Sequence, residues 1–295
     1  MDTRTCFRLI TLFFILASTA CGAGATAPDP TLAPATQTSA PPTPTATPIP
    51  AIAKVNEGII PLVEYEAELI RFQQAQEALA KTVTVEEAEE RVLNDLIDQM
   101  LLTQAAEVSG FTLTDEELNA RVEALTVDVG GQENLSTWLS SHGYTREAFL
   151  SSLRKSISAG WMRDQIIASV PSTAEQVHAQ QILLYNRETA EDVQSKLSAG
   201  ADFGEMASAY DPKTNGELFW FPRDYLLEQS IEDAAFSLEI SVPSEIIETE
   251  VGFHIIMVLE KVEDRPLSPD ALLRLQENAL SEWLQKAREA SKIER

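Results

Sequence analysis

The sequence predicts an α+β chain: a helical first part, a mixed sheet-and-helix second part, and a last helix. Three observations predict it. Between residues 51 and 170, apolar side chains recur at the three-to-four spacing of helices. From 171 to 267 the pattern shifts to short apolar runs between capped helices, in the order β-α-α-β-α-β-β. At 268–295 a single stripe of Leu272, Leu275, Ala279, Trp283 and Ala287 follows the helix start Ser268-Pro269-Asp270.

Residues 1–20 read as a secretory signal. Arg4 and Arg8 precede an apolar run, Leu9 to Ala17, shorter than the roughly 20 residues that span a bilayer. Ala17-Ser18-Thr19-Ala20-Cys21 then resembles a lipobox, with Ser18 where leucine is usual and Leu16 two places further back. The expectation is that Cys21 becomes the mature N-terminus and carries lipid on its thiol. Ordinary signal cleavage, with Cys21 a bystander, is the alternative. The Pro/Thr-rich stretch that completes 21–50 has almost nothing to bury. It is expected to act as a disordered or polyproline-like spacer, reaching about 3.1 Å per residue when extended. A Thr/Pro tract also has the composition of an O-glycosylated stalk.

Within the helical part, Ala51 to Ile60 is β-prone around the turn signal Asn56-Glu57-Gly58. A helix is predicted over Pro61 to Ala80. Thr84-Val85-Glu86-Glu87 and Thr114-Asp115-Glu116-Glu117 are capping boxes that open two more helices, the first stopped at Gly110. Leu135, Trp138 and Leu139 mark a short helix, and Thr145 caps another through Phe149, Leu153, Ile157, Trp161 and Ile166. These stripes, Met100 and Trp161 included, are expected to be core rather than a cofactor site. In the mixed part, Val177 to Tyr185 reads as a strand. Thr189 is expected to cap a helix with Ala190, Val193 and Leu197, and Asp202 another. Leu218 to Phe221 is strand-like, Leu226 to Leu238 helical, and Ile246 to Thr249 and Phe253 to Leu259 are strands parted by Gly252.

Bulk properties exclude several functions. The 295 residues carry a net charge of -24, which opposes nucleic-acid binding, since phosphates are held by Lys and Arg. Both cysteines, Cys6 and Cys21, lie at the N-terminus, so no disulfide framework is expected. With three histidines, His142, His178 and His254, a Cys/His metal site lacks ligands, and neither a metal nor another cofactor is expected.

Residues 171–267 carry a run of motifs that share one family likeness. The motifs are Val177-x-Ala179-x-x-Ile182-Leu183, Gly200-Ala201-Asp202-Phe203 followed by Met206-Ala207, and Gly216-Glu217-Leu218-x-Trp220-Phe221, where the family has G-(D/E)-L-G-W-F. Glu232-x-Ala234-Ala235-Phe236-x-Leu238 and Gly252-Phe253-His254-Ile255-Ile256 complete the set, and together these motifs resemble a parvulin (PpiC-type) domain. Residues 51–170 resemble the helical domain of SurA/PrsA-type foldases, through Val55-Asn56, Leu96 to Leu101 and Gly110-Phe111-Thr112-Leu113-Thr114. This resemblance implies a helical domain of 51–170 onto which the 268–295 helix packs, with the parvulin domain inserted between. A membrane-lying role for that helix is the rival, though it lacks a dense Lys/Arg face.

The resemblance also implies a function, catalysis of rotation about X-Pro bonds in exported polypeptides, and it implies a site. His254 falls on the family's second histidine, Thr249 on its hydroxyl, and Asp211 is the candidate for its Cys/Asp position. Gln181 stands where the first histidine belongs; it can donate and accept but cannot titrate. His178, three residues earlier on the strand, faces the other way. Leu218, Leu227, Ile231 and Phe236 are implied to hold the proline ring. The expected partners are unfolded or partly folded exported chains, with the protein lipid-anchored outside the cytoplasm. The alternatives are a chaperone with a degenerate parvulin domain and a passive lipoprotein scaffold.

Overall fold

The computed structural model describes residues 49–295. The signal, Cys21 and nearly all of the 21–50 spacer lie outside the described residues. The chain opens with a hairpin of β1 (Ala51–Val55) and β2 (Gly58–Pro61). Asn56 closes its turn at φ 55°, a conformation asparagine tolerates better than most residues. Five helices follow: α1 (Leu62–Ala78), α2 (Val85–Val108), α3 (Asp115–Asp128), α4 (Gln132–Ser141) and α5 (Arg146–Ala168). Both expected capping boxes form, Thr84 with Glu87 and Thr114 with Glu117, and the Thr145 hydroxyl accepts from Ala148 N. Each cap meets backbone N–H groups that the first helical turn leaves without partners.

A 12-residue strand, β3 (Thr173–Leu184), begins the mixed part. Then come α6 (Arg187–Ser198), α7 (Phe203–Tyr210), β4 (Glu217–Pro222), α8 (Gln229–Ser237), β5 (Ile247–Thr249) and β6 (Gly252–Pro266). The four strands form an antiparallel sheet in the order β4-β3-β6-β5. Alternation along β3 feeds two cores. Val177 and Ala179 pack with Phe221, Ile231, Ala235 and Phe236 beneath α8. Ile182 and Leu184 pack with Ala190, Val193 and Phe203 of α6 and α7.

Helix α9 (Pro269–Ala290) then crosses back to the helical part. Its Ala279, Leu280, Trp283 and Leu284 meet Leu102 of α2 and Ala159 and Ile166 of α5. Arg288 Nε lies 2.6 Å from Asp98 Oδ1, and its Nη2 donates to Asn94 O at 3.0 Å. A final strand, β7 (Ile293–Glu294), pairs antiparallel with β1, giving the sheet order β2-β1-β7. Nothing in the periodicity of the last residues signals this strand.

Several expected boundaries shift: β3 begins at Thr173 rather than Val177, β6 runs on to Pro266, and two helix starts move for a visible reason. Asn186, not Thr189, caps α6: the Asn186 Oδ1 accepts from Thr189 N at 2.8 Å, so Thr189 lies inside the first turn. The helix expected from Leu226 starts at Gln229 instead. The Glu232 carboxylate accepts from the backbone N–H of Asp224, Tyr225 and Leu226, at 2.6, 3.0 and 3.0 Å, and holds them as a loop.

Candidate active site

The sheet sets the site through β3 and β6, which bring Gln181 and His254 side by side. His254 is 3% exposed. Its Nδ1 lies 3.0 Å from Gln181 Oε1 and its Nε2 lies 2.9 Å from the Thr249 hydroxyl. A carbonyl oxygen only accepts, so Nδ1 carries the proton, and the hydroxyl donates to Nε2. Burial holds the imidazole below its ordinary value, against an opposing pull from the Glu228 carboxylate. The ring is therefore a neutral, oriented dipole rather than a poised base.

Gly216 fixes the neighbouring strand against this network. It stands at φ +69°, and a Cβ there would lie 2.0 Å from Gln181 O, so no other residue fits without moving the sheet. The Gln181 N–H donates to Gly216 O at 2.8 Å. Leu218, two residues on, lines the same cavity as Gln181.

Above His254 and Gln181 opens a mainly apolar cavity of about 610 Å³. Leu218, Leu227 and Ile231 line it, as do Tyr225, Leu226 and Val251. Leu227 is 87% exposed, an apolar side chain held in solvent at the mouth. Thr249 bonds His254 without lining the cavity.

Two of the expected residues are placed elsewhere. Phe236 is 8% exposed and spends its ring in the core, edge-on to Phe221 at 6.1 Å, so it supports the sheet and does not reach the cavity. Asp211 caps the end of α7, and its carboxylate turns back to accept from the Thr214 hydroxyl and from the N–H of Thr214 and Lys213. These bonds hold its carboxyl below the ordinary value. It does not line the cavity. His178 lies on the opposite face, paired with Glu217 and stacked on Trp220. Among the described residues no group of three or more His, Cys, Asp or Glu could hold a metal ion.

Residues 35–163 match the family model of the SurA-like N-terminal domain, and residues 166–262 that of the PPIC-type PPIASE domain. The chain carries a SurA-like N-terminal domain and a parvulin domain of the PpiC type. Its parvulin domain thus holds the whole His254 network. The chain is 28% identical over 179 residues to the foldase protein PrsA of Geobacillus kaustophilus, covering 58% of this chain and 62% of that one. It is 30% identical over 195 residues to the foldase protein PrsA of Halalkalibacterium halodurans, with 58% of each covered. The match thus spans about three-fifths of the length of these relatives. A crystal structure of the peptidylprolyl isomerase PrsA of Bacillus cereus aligns over 82% of this chain and 86% of its own, at 23% identity and a TM-score of 0.44.

The sequence reading missed two contributors to the site. Glu232, 1% exposed, is the carboxylate that shapes the 224–226 loop along the cavity; its place in the E-x-A-A-F motif was the available signal. The other is α9, which borders the cavity with Asp270, Leu273, Arg274 and Glu277. A helix outside the parvulin motifs gives no sequence signal for such a contact.

Proposed function

We propose that the protein is a peptidyl-prolyl cis-trans isomerase and foldase for exported chains. The observation that carries this reading is the Gln181–His254–Thr249 network lying under an apolar cavity. The barrier to X-Pro rotation is amide resonance, about 18–20 kcal/mol. No bond to a side chain need form. Leu218, Leu227 and Ile231 take the proline ring, and the rotating amide lies over Gln181 and His254. As the amide twists it loses resonance, and its nitrogen becomes a better acceptor. Hydrogen bonds that strengthen in that geometry speed the rotation. Thr249 acts through His254 by fixing the ring. Asp211, engaged in its own turn, takes no part.

In this reading residues 1–20 are removed, Cys21 carries lipid, and the 21–50 spacer holds the folded part away from the outer face of a membrane. Residues 51–170 with 268–295 form a chaperone-like helical domain, and 171–267 the isomerase. Clients are unfolded or partly folded polypeptides with X-Pro bonds. Mass spectrometry of the membrane fraction tests the anchor: a lipid-bearing Cys21 at the N-terminus is expected. Release of the wild type equal to that of Cys21→Ser overturns it.

A second reading is a holdase whose parvulin domain binds chains without isomerising them. The glutamine at 181 and the engagement of Asp211 in its own turn favour it. A proline-limited refolding assay decides: slow but measurable acceleration supports the isomerase, and suppressed aggregation with no acceleration supports the holdase.

A further inference from the structure

The cavity has a wall that the parvulin motifs do not encode. Helix α9 contributes Asp270, Leu273, Arg274 and Glu277 to its lining, together with Leu227 and Glu228. The helix is tied there: Asn278 Nδ2 donates to Asp224 O at 2.6 Å, on the same loop that the buried Glu232 carboxylate holds. The far end of α9 is fixed by Trp283 in the helical core and by Arg288 on Asp98. The wall is therefore part of the built molecule and not a passing contact.

The cavity volume exceeds that of a prolyl ring several-fold, so it also takes residues beside the proline. Leu273 is 56% exposed and adds apolar surface at the rim. Its charged neighbours are unequal. Glu228, Asp270 and Glu277 bring three carboxylates against the one guanidinium of Arg274. Among the described residues Arg274 makes no ion pair within 4.0 Å, so it neutralises none of them at contact. The charged lining is therefore net negative, and a mainly apolar cavity screens such charges less than open water does.

We propose that α9 is a specificity-determining wall of the isomerase site, selecting X-Pro segments with a basic residue next to the proline. This rests on the isomerase reading of the same cavity. Asp270 and Glu277 attract the Lys or Arg side chain, and Leu273 packs along its methylenes. Solvent-exposed carboxylates act weakly, so the expected discrimination of Lys over Glu is about three- to ten-fold at low salt.

The test uses the full chain and three short peptides that differ only before the proline: Lys-Pro, Ala-Pro and Glu-Pro. Both Kd, by NMR titration, and kcat/KM, by exchange spectroscopy, are measured. The expected order is Lys, then Ala, then Glu. The Lys-to-Glu ratio shrinks toward one with added salt in the wild type, and in the Asp270→Asn/Glu277→Gln double variant at low salt. Equal Kd for the three peptides, no binding of any, or a preference for Glu, which would make Arg274 the selector, overturns the proposal. Ordered Kd values without turnover keep the wall and overturn the isomerase reading. Turnover without order does the reverse.

Discussion

At the scale of single residues, the isomerase reading makes His254 a link between stability and chemistry. His254→Ala removes both hydrogen bonds and opens a hole beneath the cavity, at an expected cost of about 1–3 kcal/mol in urea denaturation, with a lower isomerisation rate. Gln181→His should raise that rate by restoring a second ring that orients the first; a rate left at background, with aggregation still suppressed, would withdraw the enzyme assignment. The pH behaviour follows from the buried ring. Its folded value lies below the ordinary 6.5, so on acidification the unfolded chain takes up the proton first. The contribution of His254 to stability is complete above that ordinary value and is lost as pH falls through the folded one. Isomerisation should therefore change little between pH of about 6 and 8, which a pH–rate profile checks. Phe219 occupies the position where the parvulin motif has glycine. It sits at φ 55° and is 67% exposed, so little burial compensates the strain. Phe219→Gly should stabilise the fold by about 0.5–1 kcal/mol, after the entropy cost of glycine is subtracted. A higher urea midpoint at unchanged slope would show it.

At the scale of elements, the loop before α8 is held by one carboxylate. Glu232→Gln keeps the shape but loses an acceptor, leaving a partly buried N–H among Asp224, Tyr225 and Leu226 without its charged partner. The expected cost is about 1–3 kcal/mol, with weaker peptide binding because Tyr225 and Leu226 line the cavity. Calorimetric unfolding and peptide titration measure the two effects. This loop also shows where sequence reading stops. Periodicity continues a helix back to Leu226, since an apolar pattern cannot report that three N–H groups are already taken. The same limit applies to Phe236 and Asp211. Motif alignment gives each its position along the chain, but Phe236 is drawn into the core by Phe221 and Asp211 into its own turn by Thr214. Elements with strong local chemistry were legible: the Thr84 and Thr114 capping boxes, the break at Gly110, and the alternation of β3. His254 and Gln181 were legible as a pair only through the parvulin resemblance, which sets them on the family's two histidine positions; strand spacing told only that His178 faces the other way. The wall from α9 and the strand at Ile293 depend on contacts across the chain, which no local pattern carries.

At the scale of the whole molecule, the described chain is stitched to itself at its far ends. Asn56 N–H donates to Lys292 O at 2.8 Å, the Lys292 N–H returns to Asn56 Oδ1 at 3.0 Å, and Ile293 joins the core around Val55 and Ile97. Removing residues 291–295 should lower the melting temperature by about 2–8 °C, with the loss of protection concentrated in β1 and β2 when followed by hydrogen exchange. The seam also imposes an order of events on a chain made from one end. Residues 53–56 emerge early and wait more than two hundred residues for 292–294, whereas β3 and β6 find each other within the intervening stretch. Long-range closure is the slow step in such a topology. The SurA-like half therefore stays unsealed, with its hairpin edge open, while the parvulin sheet is already complete. In a growing chain of this protein the parvulin sheet closes before β1, already paired with β2, gains β7 as its second neighbour.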